Sequence, residues 1–437
     1  MHPPRAIGLD VGTSGVRGVL LDHDGGRRAT ASRALAPAGI RHDGPLHEQE
    51  PEHWWEALQE VLAELTDSLE GEPAAIAIDG TSGTLLGTDE QGHPLHPALM
   101  YDDRRAAPAV PRLARLAPPE AAVHSASSSA AKLLWLRGEH GLYGVRRVLH
   151  PADWLAGRLR GRYDRMDENN ALKLGYDVVR RRWPEWLLRE LGTHAGLLPE
   201  VVPAGTPLGP VDPDLAANLG LSPASQVVAG TTDSIAGFLA AGVADTATGV
   251  TSLGSTLALK QLSPRPLFAP ELGVYSHRLG DRWLAGGASH SGGAVLQQFF
   301  DNADLERLGA ALDPEHDSGL DYLPLPGPGE RFPVNDPDLP PRMEPRPTDD
   351  ARFLQGLFEG IARIERDGYA RLRELGAPEL QRVVTLGGGA RSPAWSRIRA
   401  RILGVEVSTA AVDEAAVGTA RLARGTALAA LQEPNPA

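Results

Sequence analysis

Three stretches of the chain set a carboxylate or a run of hydroxyls inside a glycine turn. GLDVGTSG places Asp10 just ahead of Gly12, Thr13, Ser14 and Gly15. GTTDSIAGF holds Asp233 before an apolar run, and TSLGST offers Gly254, Ser255 and Thr256. Backbone N–H groups in such turns form nests for anionic oxygens, and neighbouring hydroxyls add donors. A carboxylate repels phosphate, so Asp10 makes chemical sense as a ligand, through water, of a divalent cation. Magnesium suits that task because it prefers oxygen ligands and keeps its water. The plainer alternative is a hairpin whose turn Asp10 caps. Asp233 also has two readings: a general base taking a proton from a hydroxyl, or the N-cap of the helix that follows. LGGGARSPAW adds a third glycine turn at Gly387–Gly389, opening a helix. It allows close backbone approach to a planar or anionic ligand, or serves only as a helix entry loop.

Other chemistries lack their residues. The chain has no cysteine, which removes disulfides, thiolate metal sites and a thiol nucleophile. Its fourteen histidines show no HExxH spacing, and no GxSxG elbow is present. Lys132, Lys173 and Lys260 are the only lysines among forty-three basic residues. None follows a GxxxxG pattern, so a Walker-type phosphate loop is excluded. YDDRR (101–105) and DRMDENNALKLGYD (164–177) are polar clusters that, taken alone, read as solvated surface turns. A net charge of −13 argues against a nucleic-acid partner, whose phosphates need basic patches. No apolar run reaches membrane-spanning length. MHPPRAIGLD enters a strand almost at once, leaving no room for a signal peptide, so a cytoplasmic protein is expected.

These turns need strands and helices to hold them. The opening predicts strands over Ala6–Val11 and Val16–Asp22, then a DHDGG turn. Apolar residues at Trp54, Trp55, Leu58, Val61, Leu62 and Leu65 predict a helix over 52–69. AAIAIDGTSGTLLGTDEQG reads as strand, turn, strand and hairpin turn, and helices are expected around 130–138 and 151–159. Ser225–Gly230 reads as a strand, and Thr248–Lys260 repeats the opening strand–turn–strand pattern. A long amphipathic helix fits Ala351–Leu375, capped by Asp349 or Asp350 and ended by Gly376, before a strand at Arg382–Leu386. The Pro- and Gly-rich Tyr322–Pro347 reads as a surface loop rather than an interdomain linker. At 437 residues, with strands and helices alternating, the chain is expected to form two α/β halves with related openings.

In chain order, GLDVGTSG, IAIDGTSGTLL, YDDRR, ADWLAGRLRG with DENNAL, GTTDSIAGFLAAG, TSLGST, GERFP, LGGGARSPAW and EAAVGTARLA resemble the FGGY family of carbohydrate kinases. The resemblance runs from about Ala6 to Arg424. It implies an actin-like ATPase (ribonuclease H-like) fold with two α/β domains around a deep cleft. Residues 1–235 would carry sugar and phosphate binding, and 236–437 nucleotide binding. It implies transfer of the γ-phosphate of ATP to a sugar hydroxyl with Mg²⁺, by a monomer or homodimer with no nucleic-acid or membrane partner. By this resemblance Asp233 is the catalytic base, and Asp10 and Asp233 lie by the metal. Gly12 and Thr13, with Gly254, Ser255 and Thr256, hold phosphates; Gly388, Gly389, Ser392 and Trp395 fall in the adenosine motif, with Trp395 packing near the base.

Two departures bear on the sugar. Tyr101 stands where many members carry the tryptophan of Trp-x-Asp-x-Arg, which puts a sugar contact from YDDRR in question. D-xylulose kinases usually carry a Met-His-Gly-Gln type motif where this chain has DGTSG. GLDVGTSG, DGTSGT and NALKLGY instead resemble a cyanobacterial and plant subgroup similar to D-ribulose kinases. That likeness implies a pentulose site lined by Asp10, Ser14, Gly15, Arg17, Ser82 and Asp233, and phosphorylation of D-ribulose at O5. D-xylulose, another pentulose or a polyol is the alternative within the class. A non-catalytic sugar sensor or an ATPase transferring to water are alternatives outside it. Lys173 matches the subgroup but acquires no role from it beyond a structural contact.

Overall fold

The computed structural model describes residues 3–432. Strand β1 (Arg5–Val11) is buried along its length, and β2 (Gly15–Leu21) turns back antiparallel to it, setting Asp10 opposite Arg17. β3 (Arg27–Ala34) extends this meander, and β4 (Ile40–Asp43) with β5 (Leu46–Gln49) forms a separate hairpin. Helix α1 (Pro51–Thr66) buries Trp54, Leu58, Val61, Leu62 and Leu65 along the stripe that the sequence predicts. Each such side chain contributes roughly 1.5–3 kcal/mol on burial. β6 (Ala74–Gly80) runs parallel to β1 and brings Asp79 beside Asp10.

Helices α2 (Ser129–His140), α3 (Pro151–Arg160) and α4 (Glu168–Leu174) follow. β7 (Pro207–Pro210) then pairs antiparallel with β8 (Gln226–Thr232), which is parallel to β6 and leads into α5 (Asp233–Ala240). The sheet order is β7-β8-β6-β1-β2-β3.

A second sheet repeats this arrangement. β9 (Thr248–Leu253), β10 (Leu257–Ser263) and β11 (Arg282–Ser289) form an antiparallel meander. Helix α6 (Asp350–Glu374) is capped by the Asp349 carboxylate, which accepts the Ala351 N–H, and buries Phe353, Leu357, Ile361, Ile364 and Leu372. β12 (Arg382–Leu386) adds parallel to β9, helix α7 (Pro393–Leu403) follows, and β13 (Glu406–Thr409) adds parallel to β12.

The chain separates into two compact units. The first runs to Gly242 and takes back Arg278–Gly280 and the chain from Glu414; the second comprises Val243–His277 and Asp281–Asp413. By contacts, therefore, the division falls after Gly242 rather than 235, and the segment from Glu414 packs with the first unit. The reason is steric fit. The helix Ala415–Ala423 lies against β1 and α5 at glycine contacts too close for any side chain. A Cβ on Gly8 would stand 2.0 Å from the Ala416 carbonyl oxygen, and one on Gly418 1.9 Å from that of Ala236. Tyr322–Pro347 lies within the second unit and is not a linker. It is a self-paired loop with bridges Leu323–Arg342 and Glu330–Asp336, and it gives Tyr322, Leu325 and Phe332 to the core. No helix among the described residues is long and apolar enough to cross a membrane.

Candidate active site

Ligands of α/β sheets gather at the carboxyl ends of parallel strands. In the first unit three adjacent parallel strands, β1, β6 and β8, each deliver an acid near that end. Asp10 and Asp79 are register partners, Thr231 pairs with Asp79, and Asp233 follows directly after β8. Asp79 is fully buried, and the Thr419 hydroxyl of the C-terminal helix donates to its Oδ2. Burial raises the Asp79 carboxyl well above the usual carboxylate range, and the charge of Asp10 raises it further. Burial raises Asp10 too, opposed by its hydrogen bond with Asp79 and by the Arg17 guanidinium, 3.4 Å from its Oδ2. Two carboxyls packed side by side resist joint ionisation, and for Asp79 that adds to the effect of burial.

The turn after β1 is closed by a Gly12 N–H to Gly15 carbonyl bond of 3.0 Å, with Ser14 and Arg17 exposed beside it. Gln49 props this turn, its amide donating to the Thr13 carbonyl at 2.9 Å while the Trp54 indole N–H holds its Oε1 at 2.8 Å. Asp233 is not a helix cap: Thr232 takes the cap position, and Asp233, half-buried, opens α5 with its Oδ1 accepting the Ser234 N–H at 2.6 Å. Its charge reaches Asp79 and the Tyr101 phenol.

In the second unit, Gly254–Thr256 follows β9 and Gly387–Gly389 follows β12, the two strands running parallel with Ser252 opposite Leu386. Gly254, Ser255, Thr256 and Gly388 are exposed. Both strands are tied from behind by a buried ion pair that sequence reading missed. Arg399 binds Glu365 at 2.6 Å, Thr251 donates to Glu365 at 2.6 Å, and Arg399 donates to Thr385 at 2.7 Å. Ser392 caps α7 by accepting the Trp395 N–H. The expected packing of Trp395 near a nucleotide base is not met by its surroundings. The ring is 3% exposed and stacks on Phe358 at 4.2 Å between centroids, so it backs Gly389 from the core side.

Residues 5–240 match the N-terminal domain of the FGGY family of carbohydrate kinases, and residues 248–427 match its C-terminal domain. The chain belongs to this family. It is 29% identical to a xylulose kinase of Escherichia coli (strain K12), over 96% of this chain and 89% of that one. A solved xyloylose kinase from Brucella ovis superposes with a TM-score of 0.89 at 24% identity, covering 99% of this chain and 93% of that one. A gluconate kinase from Lactobacillus acidophilus gives 0.85 at 20% identity, covering 98% and 90%. The fold is thus the two-domain mixed α/β fold of FGGY kinases, of the actin-like ATPase type. Similar backbones serve sugars of different chemistry, so side chains must choose among them.

FGGY kinases use ATP and generally a divalent metal, and the acids fit such an ion. Asp10, Asp79 and Asp233 gather three carboxyl groups at one sheet end, with the Arg17 guanidinium 3.4 Å from Asp10. The one three-residue group of metal-ligand geometry among the described residues lies elsewhere, at His42, His47 and Asp102. There Asp102 is already hydrogen-bonded to the His47 ring at 2.6 Å.

The polar clusters of this FGGY kinase are not solvated turns. Asp103 is fully buried, binding the Arg105 guanidinium and the His47 N–H at 2.8 Å, while Arg105 also holds Glu48 at 2.6 Å; Tyr101 and Arg104 are the two exposed residues of that segment. In 164–177, Asp167 caps α4 by accepting the Asn169 and Asn170 N–H groups, and Asp153 Oδ1 accepts the Asp167 N–H at 3.0 Å. Asn169 then donates to Thr231 Oγ1 at 3.1 Å, anchoring α4 beside β8. Ser82 Oγ, Asn169 Oδ1, Asn170 Oδ1 and Thr232 Oγ1 are buried with no hydrogen-bond partner among the described residues. Buried polar atoms rarely stay unpaired in native proteins, so these atoms have hydrogen-bonding capacity to spare.

Proposed function

We propose that this kinase transfers the γ-phosphoryl group of ATP to O5 of D-ribulose, giving D-ribulose 5-phosphate and ADP. The choice of sugar rests on one observation, the chemistry of DGTSG. Thr81 is tied to the Thr84 hydroxyl at 2.6 Å, and the buried Ser82 Oγ has no partner, where D-xylulose kinases usually present a histidine and a glutamine. A single small hydroxyl cannot make the contacts of those longer side chains.

Asp233 accepts the O5 proton as the O5–phosphorus bond forms and the bond to the β-phosphate bridging oxygen breaks. Asp10, Ser14, Gly15, Arg17 and Ser82 position the pentulose, and the Gly12–Thr13 amides face phosphate. Gly254, Ser255 and Thr256 hold phosphates in the second unit, while Gly388 and Gly389 receive the adenosine on a turn fixed by Ser392 and Trp395. Mg²⁺, held through water by Asp10 and Asp233, would offset charge on the β- and γ-oxygens. Positioning of this kind supplies most of the catalysis in phosphoryl transfer.

D-xylulose is the second reading, favoured by the name carried by relatives such as the 29%-identical E. coli enzyme. A panel of D-ribulose, D-xylulose, L-ribulose, pentitols and gluconate with ATP and Mg²⁺ decides between them, with products identified by mass and NMR. The expected result is the highest kcat/KM on D-ribulose with phosphate on C5. A higher value on D-xylulose overturns the first reading in favour of the second.

A further inference from the structure

Two of the chain's three lysines converge on one glycine. Lys132 is fully buried, and its ammonium donates to the Gly83 carbonyl at 2.7 Å and the Met100 carbonyl at 2.6 Å. Lys173, in the last turn of α4, approaches Gly83 from its Cα side. A Cβ on Gly83 would stand 3.4 Å from Lys173 Cδ and 3.9 Å from Nζ. Gly83 has φ +92°, a conformation that side-chain-bearing residues avoid, so this niche stays open. Lys132 is occupied, but Lys173 has no carboxylate or hydrogen-bond partner among the described residues. Next to Gly83 lies the buried and equally unpartnered Ser82 Oγ.

Composition sharpens the point. Forty of the forty-three basic residues are arginine, so Lys173 is one of only three side-chain ammonium groups in the chain. The end of α4 favours any cation, and arginine would satisfy that need equally. What lysine offers instead is a compact ammonium with freely turning donors, suited to a single acceptor oxygen in a narrow niche.

We propose that Lys173 is a specificity-determining residue whose ammonium donates a hydrogen bond to the C2 carbonyl oxygen of an open-chain 2-ketopentose, with Ser82 beside it. This rests on the pentulose kinase reading above. Ketopentoses close their ring by adding O5 to C2. A kinase that phosphorylates O5 therefore has to take the open chain, which exposes a ketone and demands a donor for it. The contact sets ketose apart from pentitol, whose C2 hydroxyl needs no cationic donor.

The test measures steady-state kinetics of the full-length enzyme and its Lys173→Met and Lys173→Gln variants. Substrates are the preferred ketopentose and the matching pentitol, the pentitol used as competitive inhibitor if it is not turned over. Hydrogen bonds to charged donors are the stronger kind, so Lys173→Met should lower kcat/KM for the ketopentose about 10–100-fold. The constant for the pentitol and the KM for ATP should stay within about twofold, and Lys173→Gln, a neutral donor, should fall between. Equal losses on ketopentose and pentitol, or no loss on the ketopentose, overturn the role of Lys173 and leave the kinase reading standing. A wild-type enzyme that phosphorylates no ketopentose overturns both.

Discussion

Asp233 is the base in the proposed reaction, and its position would separate catalysis from stability. Because Thr232 occupies the cap, Asp233 gives α5 only a first-turn charge, a contribution of roughly 0.3–1 kcal/mol. Asp233→Ala should therefore lower kcat by about 10²–10⁴-fold while the melting temperature moves by only a few degrees. Near-full activity in a folded variant would sink its assignment as base. Asp79 is the opposite case, a buried acid held by the Thr419 hydroxyl. Thr419→Val removes that donor and should destabilise the protein by about 1–3 kcal/mol, read from urea unfolding. The sequence held a signal for Asp79 that was easy to pass over: IGLDVGTSG and IAIDGTSG both end an apolar run in aspartate before a Gly-Thr-Ser turn. Only the parallel register of β1 and β6 shows that the two aspartates lie side by side.

Helix α4 depends on acids that a charge-run reading misplaces. Asp153 and Asp167 are buried and pushed up to about 7, by burial first and, for Asp167, by the neighbouring Asp153 as well. His150, 3.4 Å from Asp153, forms no ion pair with it, because burial drives the imidazole down to about 3 and keeps it neutral. The two acids thus hold protons that the unfolded chain releases near its ordinary value of about 4. Between pH 4 and pH 7 the folded state binds more protons, so the stability they add is complete below pH 4 and is lost as pH rises toward 7. Unfolding by urea at pH 5 and pH 7.5 should show that decline, and Asp153→Asn should flatten it; an unchanged slope would exclude this pair as its source. Long amphipathic elements such as α1 and α6 were readable because their periodicity is local. The setting of DRMDENNAL was not, since Asp167 meets Asp153 fourteen positions away, and nothing within the run marks which carboxylate is taken inside.

At the scale of the molecule, the repeated strand–turn–strand openings foretold two similar α/β sheets, but not where the chain's last segment would go. EAAVGTARLA is short and rich in small residues, and Gly8 and Gly418 reveal close packing only once they are known to be neighbours. Removing everything after Asp413 tests that dependence. The first unit would lose Val417 and Leu422 from its core and the Thr419 hydroxyl from Asp79. The two aliphatic side chains alone account for about 3–6 kcal/mol, against a typical domain stability of about 5–15 kcal/mol. The truncated chain should lose the cooperative unfolding transition of its first unit, followed by calorimetry and by proteolysis between residues 3 and 242. Supplying 414–432 through a flexible linker after Gly242, in a chain lacking the second unit, should restore a folded first unit. If the truncated protein instead melts like the full chain, the segment from Glu414 is an accessory of the first unit and not part of its core.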